Sequence, residues 1–251
     1  MKTINPPKSM DETLDTFYHG RILVLQKKKG YRFSIDAPLL ADFVQTKSTD
    51  KCLELGTGCG IISLLLSIKP FSHVKAVEIQ ESLVDLARRN VRLNQLEDRI
   101  SIVHADLCRF YTDHKFDVVF SNPPYIKAKA GHLSASLEKS IAKHELKCDI
   151  LDIMHKTAEL LKKRGRAYFI FTAKRKREFV QAVKKSGMAI KVIRFVVPRH
   201  GSQPNFFLTE CGFLRIVEKV LPPLVLFDKE GNYRPEAQDI FAGRSHATSF
   251  Q

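Results

Sequence analysis

The chain has 251 residues, 44% of them hydrophobic, and its 41 lysine and arginine residues against 27 aspartate and glutamate residues give a net charge of +14. At this length one core buries about 70–75% of the unfolded surface, so no second core is required. The positive charge favours a polyanionic partner, because each neutralised phosphate releases counterions, although a basic surface also serves solubility alone.

The cysteines and the apolar segments indicate the compartment. The five cysteines are widely spaced and form no Cys-x-x-Cys pair, which argues against both a disulfide framework and a zinc site: they are Cys52, Cys59, Cys108, Cys148 and Cys211. The first 11 residues have no apolar core like that of a signal peptide, and the run Ile61 to Ile68 is too short to span a bilayer. We therefore expect reduced thiols in a soluble, cytoplasmic protein without membrane contact, and we infer no obligate protein partner.

The first 44 residues are predicted to form an extension packed on one main domain that spans residues 45–251. Within this extension, Arg21 to Gln26 and Gly30 to Phe33 have the composition of short strands that pair as a hairpin. A helix is predicted around Ala37 to Val44. The chain is therefore expected to be effectively one domain.

From Lys51 onward, short β-rich runs alternate with helical patterns, which predicts an α/β fold with a doubly wound, seven-stranded, mostly parallel sheet. The first four strands of this sheet are predicted at Lys51–Leu55, Val74–Ile79, Ile100–Ala105 and Phe116–Ser121. The helices between them are predicted at Ile61–Ile68 and Ser82–Asn94.

The second half of the chain is predicted to complete the sheet after a polar insertion at Ile126 to Lys147. The further strands are predicted at Arg166–Thr172, Ile190–Val197 and Phe206–Ile216, the last two as an antiparallel pair. The helices are predicted at about Asp149–Lys163, with Gly165 at its C-cap, and at Lys174–Ser186. Leu221 to Arg234 contains an apolar, strand-like run, and the residues after Phe241 are expected to be frayed.

A glycine-rich stretch, Glu54-Leu-Gly-Thr-Gly-Cys-Gly60, follows the strand at Lys51–Leu55. Gly56, Gly58 and Gly60 lack the β-carbon that would keep a ligand away from the backbone, as in nucleotide-binding α/β units. Because glycines also form ordinary tight turns, this motif alone is a weak indication of a cofactor.

Three acidic residues end predicted strands at the edge where open α/β sheets bind ligands. Glu78 lies 20 residues after Gly58 (78 − 58), an offset at which a carboxylate can accept hydrogen bonds from both ribose hydroxyls. Asp106 can accept a hydrogen bond from an adenine amino group, and the charge of Glu54 suits the ammonium and sulfonium groups of S-adenosylmethionine. Glu78 could instead be a solvated acid and Asp106 a turn cap.

The segment Asn122-Pro123-Pro124-Tyr125 follows the fourth predicted strand. An amino nitrogen conjugated to a ring is a poor nucleophile, so an enzyme that uses one must orient its lone pair. The side-chain oxygen of Asn122 and the carbonyl of Pro123 can each accept one N–H. Pro124 stiffens the turn, and Tyr125 offers a face for a stacked base, worth about 1–3 kcal/mol.

The glycine-rich stretch and this segment together predict methyl transfer from S-adenosylmethionine to an NH2 nitrogen. An adenine in a stacked nucleic acid would have to rotate out of the stack to reach such a site. The structural alternative for Asn-Pro-Pro is a simple chain reversal after a buried strand.

Basic residues are clustered where they could contact phosphates or simply be solvated. The densest clusters are Lys27-Lys28-Lys29, Lys162-Lys163-Arg164 with Arg166, and Lys174-Arg175-Lys176-Arg177. The insertion beside the predicted catalytic turn adds substrate-binding candidates, Lys127, Lys129, Lys139, Lys143 and His144. Arg199-His200 is a weaker candidate. The other histidines lack metal-ligand spacing, so no metal is expected.

With Glu12-Thr-Leu-Asp15, Gln26 and Gly30-Tyr-Arg-Phe-Ser-Ile-Asp36 upstream, these motifs resemble the bacterial tRNA adenine-N6 methyltransferases that modify position 37 of valine tRNA, over about Glu12 to Glu236. The resemblance implies a Rossmann-like methyltransferase fold, S-adenosylmethionine as cofactor and tRNA as partner. It implies a catalytic turn at Asn122 to Tyr125 and a cofactor site in or beside Phe33, Asp36, Gly56, Gly58, Glu78 and Asp106. Lys143 stands where this family usually has arginine, and the hairpin Asn205 to Phe213 is atypical.

Other functions are compatible with parts of this pattern. A protein methyltransferase acting on the glutamine amide of release factors suits the same turn, but that family carries a sizeable helical domain before the glycine loop, where Met1 to Leu53 stand here. A DNA adenine methyltransferase would need a target-recognition domain. Outside the enzymes, the alternative is an RNA-binding protein with a relic of the cofactor fold.

Overall fold

The structure, a computed structural model, describes residues 9, 11–29, 32–123, 148–214 and 217–244. The strands of this part of the chain are β1 (Glu12–Phe17), β2 (Ile22–Lys27), β3 (Lys51–Leu55), β4 (His73–Glu78), β5 (Ile100–His104), β6 (Phe116–Ser121), β7 (Leu161–Thr172), β8 (Ala189–Val197), β9 (Phe206–Gly212) and β10 (Lys219–Val225). The helices are α1 (Asp36–Phe43), α2 (Ile61–Leu66), α3 (Glu81–Leu93), α4 (Ile150–Leu160), α5 (Lys176–Lys185) and α6 (Pro235–Ala242). A single 3₁₀ turn, Ala173–Arg175, precedes α5.

The main sheet has the strand order β10-β8-β9-β7-β6-β3-β4-β5, in which only β9 runs antiparallel to its neighbours. This confirms the predicted doubly wound, mostly parallel sheet. The expected seven strands are joined by an eighth, β10, at the edge beside β8. Its register shifts between Leu221 and Leu224, where Pro222 and Pro223 have no N–H to donate, and an edge strand tolerates such residues.

Helices cover both faces of the sheet. On one face, α1, α2, α3, α6 and the β1–β2 hairpin share a single apolar core. On the other face, α4 and α5 contribute to a second core, in which the ring of Phe179 lies 5.6 Å from that of Phe169 and 5.1 Å from that of Phe207. None of the helices in the described ranges is long and apolar enough to span a membrane.

The amino-terminal hairpin contains one predicted strand and one that was not predicted. The strand predicted at Arg21–Gln26 is confirmed as β2, but it pairs antiparallel with β1. Of its expected partner, Gly30 to Phe33, the first two residues lie outside the described residues, and Arg32 and Phe33 belong to no strand. The two strands are joined through Tyr18 and His19, which have φ angles of 53° and 58°. Gly20 follows with a φ of 82°, so the turn has a glycine, but Tyr18 and His19 are not the Asn-Gly or Asp-Gly that usually mark a tight hairpin.

The structure also differs from the expectations around β7 and at the carboxyl terminus. α4 ends at Leu160, and Gly165 is not its cap but lies within β7, in a region where the pairing of β7 with β6 is irregular. A β-carbon on Gly165 would lie 2.6 Å from Leu161 Cδ1, so any larger residue there would have to displace the buried side chain of Leu161. At the carboxyl terminus, an unpredicted helix, α6, extends to Ala242 and is capped by Gly243, whereas residues 245–251, expected to be frayed, lie outside the described residues.

Candidate functional site

The carboxyl ends of β3, β4, β5 and β6 line a solvent-accessible cleft, bounded on one side by the start of α4. This is the edge at which open α/β sheets bind their ligands. Six of the residues singled out from the sequence line it together: Gly56, Gly58, Glu78, Asp106, Asn122 and Pro123. The parallel sheet thus brings the glycine-rich loop and the start of the Asn-Pro-Pro-Tyr segment to one site.

The carboxylate of Glu78 is held in a defined orientation on the cleft wall. Its Oε2 accepts a hydrogen bond of 2.9 Å from the backbone N–H of Gly58, and its Oε1 accepts from the N–H groups of Ile79 and Gln80 at 3.0 and 2.9 Å. Burial raises the pKa of Glu78, and these backbone donors oppose that rise. A carboxylate has about four lone-pair sites, and the backbone takes three of them, so one site on Oε2 remains for a further donor such as a ligand hydroxyl.

The glycine-rich loop is attached to the end of β4 by its backbone. The N–H groups of Gly56 and Thr57 both donate to the carbonyl of Val77, at 2.9 and 3.0 Å. Gly56 has a φ of 75°, and no atom would lie within 4 Å of a β-carbon there, so its bare backbone faces open space in the cleft. Gly60 does not line the cleft; it begins α2 with a φ of 86° and packs against Ala87 of α3.

Glu54, a predicted cofactor contact, lies behind the cleft. Its side chain is fully buried and accepts hydrogen bonds from the hydroxyls of Thr57, at 2.7 Å, and Ser63. Burial raises the pKa of the Glu54 carboxyl to about 7. Glu54 therefore braces the glycine loop and α2 from within, and it does not line the cleft itself.

Asp106 lies at the rim of the cleft, just after β5. Its Oδ1 accepts the N–H of Cys108 at 2.9 Å, and its other oxygen lies 3.8 Å from Arg109 Nε. The turn-cap interpretation and the ligand interpretation of Asp106 are therefore compatible, because the carboxylate caps its own turn and still lines the cleft.

The side chains of Cys108 and Cys148 are in contact, with Cα atoms 6.3 Å apart, a separation that a disulfide can bridge. The pair connects the turn after β5 to the residue before α4, and Cys148 lines the cleft. Their sulfurs lie within 4.8 Å of an oxygen of Asp106, a grouping of metal-ligand types that the sequence did not indicate.

Phe33 and Asp36 lie outside the lining of the cleft, on the segment that leads into α1. The ring of Phe33 packs 5.3 Å from that of Phe17 in β1. Asp36 is buried at the start of α1 and accepts a hydrogen bond of 2.7 Å from the hydroxyl of Ser34.

Asn122 and Pro123 follow β6 directly and form the cleft wall opposite Glu78's strand. Their position is fixed by Ser121, whose hydroxyl donates 2.7 Å to the carbonyl of Leu55 at the end of β3. Asn122 is half-buried and Pro123 is buried. The other predicted residues of this region lie outside the described residues: Pro124, Tyr125, Lys127, Lys129, Lys139, Lys143 and His144.

Arg199, the remaining substrate-binding candidate, is exposed in the turn between β8 and β9 and does not line the cleft. In contrast, the apolar side chains of Ile79, Leu107 and Ile153 do line it, and none of them was predicted. Ile79 and Leu107 each follow an acidic cleft residue, which is the one signal by which the sequence could have indicated them. They give the cleft apolar walls suited to a flat ring.

A family model and two relatives that match this chain are all methyltransferases. The family model of the methyltransferase small domain matches residues 31–197, more than half of the chain. A protein of Phocaeicola vulgatus named tRNA1(Val) (adenine(37)-N6)-methyltransferase is 30% identical over 198 residues, which cover 79% of this chain and 81% of that protein. A protein of the same name from Dyadobacter fermentans is 26% identical over 220 residues, covering 86% and 90%.

Among solved structures, a predicted O-methyltransferase of Agrobacterium tumefaciens superimposes with a TM-score of 0.64 at 18% identity. The match covers 84% of this chain and 97% of that chain. At this identity the likeness shows a shared fold and carries no information on the substrate.

Proposed function

The chain belongs to the methyltransferase small domain family and to the group of bacterial proteins named tRNA1(Val) (adenine(37)-N6)-methyltransferase, and from this membership we propose that it methylates N6 of an adenine in tRNA, with adenine 37 of valine tRNA as the first candidate. S-adenosylmethionine is the proposed methyl donor. The observation that supports this best is the placement of Asn122 and Pro123 on the wall of the same cleft as Gly56, Glu78 and Asp106.

The residues of the cleft suit S-adenosylmethionine. Glu78 is buried, is held by three backbone donors, and keeps acceptor capacity on Oε2 for a ribose hydroxyl. Asp106 would accept from the adenine amino group, between the apolar side chains of Ile79 and Leu107. The bare backbone at Gly56 leaves room for the methionine part. When bound, the cofactor supplies an activated methyl group on a sulfonium.

Asn122 and the carbonyl of Pro123 are proposed to orient the target amino group. Each would accept one of its N–H groups, which aims the nitrogen lone pair at the methyl group in line for transfer. The acceptor oxygens are neutral, so they need no ionisation to work. Ser121 and the proline keep this backbone rigid, so the geometry exists before the base arrives.

Residues 1–44 are proposed to act as an extension of one methyltransferase domain that spans residues 45–251, in the cytoplasm. The hairpin is tied to the core by Asn90 of α3, whose side chain exchanges two hydrogen bonds with Leu25 and donates a third, of 2.9 Å, to the carbonyl of Cys59 in the glycine-rich loop. Arg89 adds an ion pair with Glu12 of β1 at 2.7 Å.

The test of this proposal is to incubate the purified chain with S-adenosylmethionine labelled in its methyl group and either bulk tRNA or a release factor. The tRNA is then digested to nucleosides and the release factor to peptides. We expect the label in N6-methyladenosine and none in the release factor. Label in a glutamine of the release factor alone would replace the tRNA proposal, and absence of cofactor binding at millimolar concentration would exclude an enzyme of this class.

A further inference from the structure

The proposed function leaves open which of the basic clusters holds the RNA. Resting on that function, we infer that Lys174, Arg177 and Arg199 form a phosphate-binding surface for the tRNA, and that Lys162, Lys163 and Arg164 do not. We call the first set the carboxyl-edge cluster and the second set the amino-edge cluster, after the edge of the sheet where each lies. From the sequence, Lys174 and Arg177 are as good candidates as Lys162, Lys163 and Arg164, and Arg199 is a weaker one; the fold separates the two sets.

The carboxyl-edge cluster is formed by two turns that meet beside the candidate site. The 3₁₀ turn after β7 carries Lys174, and the turn after β8 carries Arg199. They are joined by a hydrogen bond of 2.9 Å from the N–H of Ala173 to the carbonyl of Asn205, so the two turns are neighbours. Arg177 follows in the first turn of α5.

These turns lie at the same edge of the sheet as Asn122. β7 is the parallel neighbour of β6, with Phe169 in register with Ser121, and β8 runs parallel to β7 beyond β9. Neighbouring strands of a sheet are about 4.8 Å apart. β7, which leads to Lys174, is therefore one strand spacing from β6, and β8, which leads to Arg199, is three spacings or about 15 Å from β6. The cluster thus extends outward from the catalytic turn.

The charges of this cluster are available to a ligand. Lys174, Arg177 and Arg199 are exposed and make no ion pair within the part of the chain that the structure describes. Their neighbour Arg175 is different, because both its Nε and Nη2 bond to Glu178, at 3.0 and 2.7 Å, and its guanidinium covers the ring of Phe171. Glu178 is therefore occupied by Arg175 and does not neutralise the other three.

The amino-edge cluster faces away from the candidate site. It lies at the start of β7, where Lys162 pairs with Asp117 at 2.7 Å and the nearby Arg166 pairs with Asp50. The six residue steps of β7 from Arg166 to Thr172 span about 20 Å at 3.3 Å per residue. A nucleic acid with its target base beside Asn122 would have to pass around the sheet to reach this cluster.

An RNA loop presents a suitable ligand for the carboxyl-edge cluster. Sequence-specific enzymes act on unstacked loop bases, which turn into the pocket while the sugar-phosphate backbone on either side follows the protein surface. Exposed lysine and arginine residues on that path contribute affinity that depends on salt and is independent of sequence. The cluster would therefore position the tRNA without touching the reacting atoms.

The test compares two variants that each remove two positive charges. Lys174→Gln with Arg199→Gln changes the carboxyl-edge cluster, and Lys163→Gln with Arg164→Gln is the control, also exposed and without ion pairs in the described ranges. For wild type and both variants, tRNA KM, kcat and equilibrium tRNA binding are measured over a range of salt, and S-adenosylmethionine binding is measured as a check on the fold.

We expect the carboxyl-edge variant to raise tRNA KM roughly tenfold or more, with kcat within about twofold, and to reduce the slope of log affinity against log salt by about 2. The control should match wild type, and both should bind the cofactor normally. If both variants weaken tRNA binding equally, or if neither weakens it, the inference is overturned. The proposed function still stands in that case, provided that the wild-type chain methylates tRNA. A wild-type chain that methylates no tRNA removes both.

Discussion

The backbone N–H of Gly58 donates a hydrogen bond of 2.9 Å to Oε2 of Glu78, twenty residues further along the chain. The spacing read from the sequence as a cofactor signal is thus also a direct contact within the protein. Glu78 fixes the glycine-rich loop on one side and faces the cleft on the other. A change at Glu78 acts on the loop and on the ligand at once, and a binding experiment has to separate the two.

Glu78→Ala is expected to weaken S-adenosylmethionine binding about 10–100-fold, because hydrogen bonds to a charged acceptor contribute about 1.5–3 kcal/mol each. Glu78→Gln should weaken it nearly as much, since either orientation of the amide directs its NH2 at a backbone donor. The measurement is calorimetric titration with S-adenosylmethionine and with its 2′-deoxy analogue. If the wild type binds both equally, Glu78 supports the loop and does not hold the ribose.

Asn122→Ala is expected to lower the rate of methyl transfer by about 100-fold or more, since the amino group would lose one of the acceptors that aim its lone pair. Cofactor affinity should stay near the wild-type value. Asn122→Asp keeps an acceptor oxygen and should retain more activity than the alanine variant. Single-turnover kinetics with saturating tRNA provide the measurement, and a rate within threefold of wild type for Asn122→Ala would refute the orienting role.

The sequence predicts those elements of the fold that are marked by a pattern of neighbouring residues, and it misses those that depend on contacts between distant residues. β3 and β6 were predicted to the residue, because each is a short apolar run bounded by turn residues, and these two strands carry Gly56 and Asn122 into the site. In the amino-terminal hairpin the strand at Arg21–Gln26 was predicted but its partner β1 was not, because the turn before it places Tyr18 and His19 at positive φ where Asn-Gly or Asp-Gly is usual. The anchor of the hairpin is a contact between distant residues, Asn90 with Leu25, which no local pattern reveals.

In the candidate site, too, some residues could be predicted from the sequence pattern and others depend on contacts that no pattern shows. The positions of Gly58, Glu78 and Asp106 at strand ends follow from the fold class, so they could be predicted from spacing. The placement of Glu54 behind the loop could not, because it depends on Thr57 and Ser63 turning their hydroxyls inward to its carboxylate. A charged residue beside a glycine motif looks the same in sequence whether it faces a ligand or the core.

The buried carboxyl of Glu54 is expected to make folding stability depend on pH. Its folded pKa of about 7 exceeds the ordinary value of 4.5, so the folded state binds more protons than the unfolded state between these values. Its contribution is therefore fully present below about pH 4.5 and is lost as the pH rises through 7, by about 3 kcal/mol. Lowered pKa values, as at Glu12 beside Arg89, act in the opposite direction at acid pH.

The effect of Glu54 is isolated by comparing Glu54→Gln with wild type in urea unfolding at a series of pH values. The difference in unfolding free energy should shift in favour of the variant by about 3 kcal/mol from pH 4.5 to 8. Glu97→Gln, at an exposed position, is the control and should follow wild type. Parallel curves for Glu54→Gln and wild type would mean that Glu54 does not hold a proton in the folded chain.

The contact between Cys108 and Cys148, which a disulfide can bridge, predicts the number of titratable thiols. Protein purified without reductant and then denatured should react with three equivalents of a thiol reagent, at the free residues Cys52, Cys59 and Cys211, and with five after reduction. The three free thiols are buried, and burial raises the pKa of Cys59 to about 12, so they should not react in the folded chain. Five equivalents in the unreduced, denatured protein would show that the pair is open.

Gly243→Ala is expected to destabilise the chain by about 2–4 kcal/mol, because two costs add at this residue. Gly243 has a φ of 66°, which a residue with a side chain adopts at a cost of about 1 kcal/mol, and a β-carbon there would overlap the buried ring of Tyr18. Gly187→Ala is the matched control. It also follows a helix, has a φ of 79°, and has no atom within 4 Å of the new β-carbon.

Urea unfolding of the two variants therefore separates the backbone cost, which both incur, from the clash with Tyr18, which only Gly243→Ala incurs. Equal losses for the two would show that the hairpin moves away from α6 at little cost.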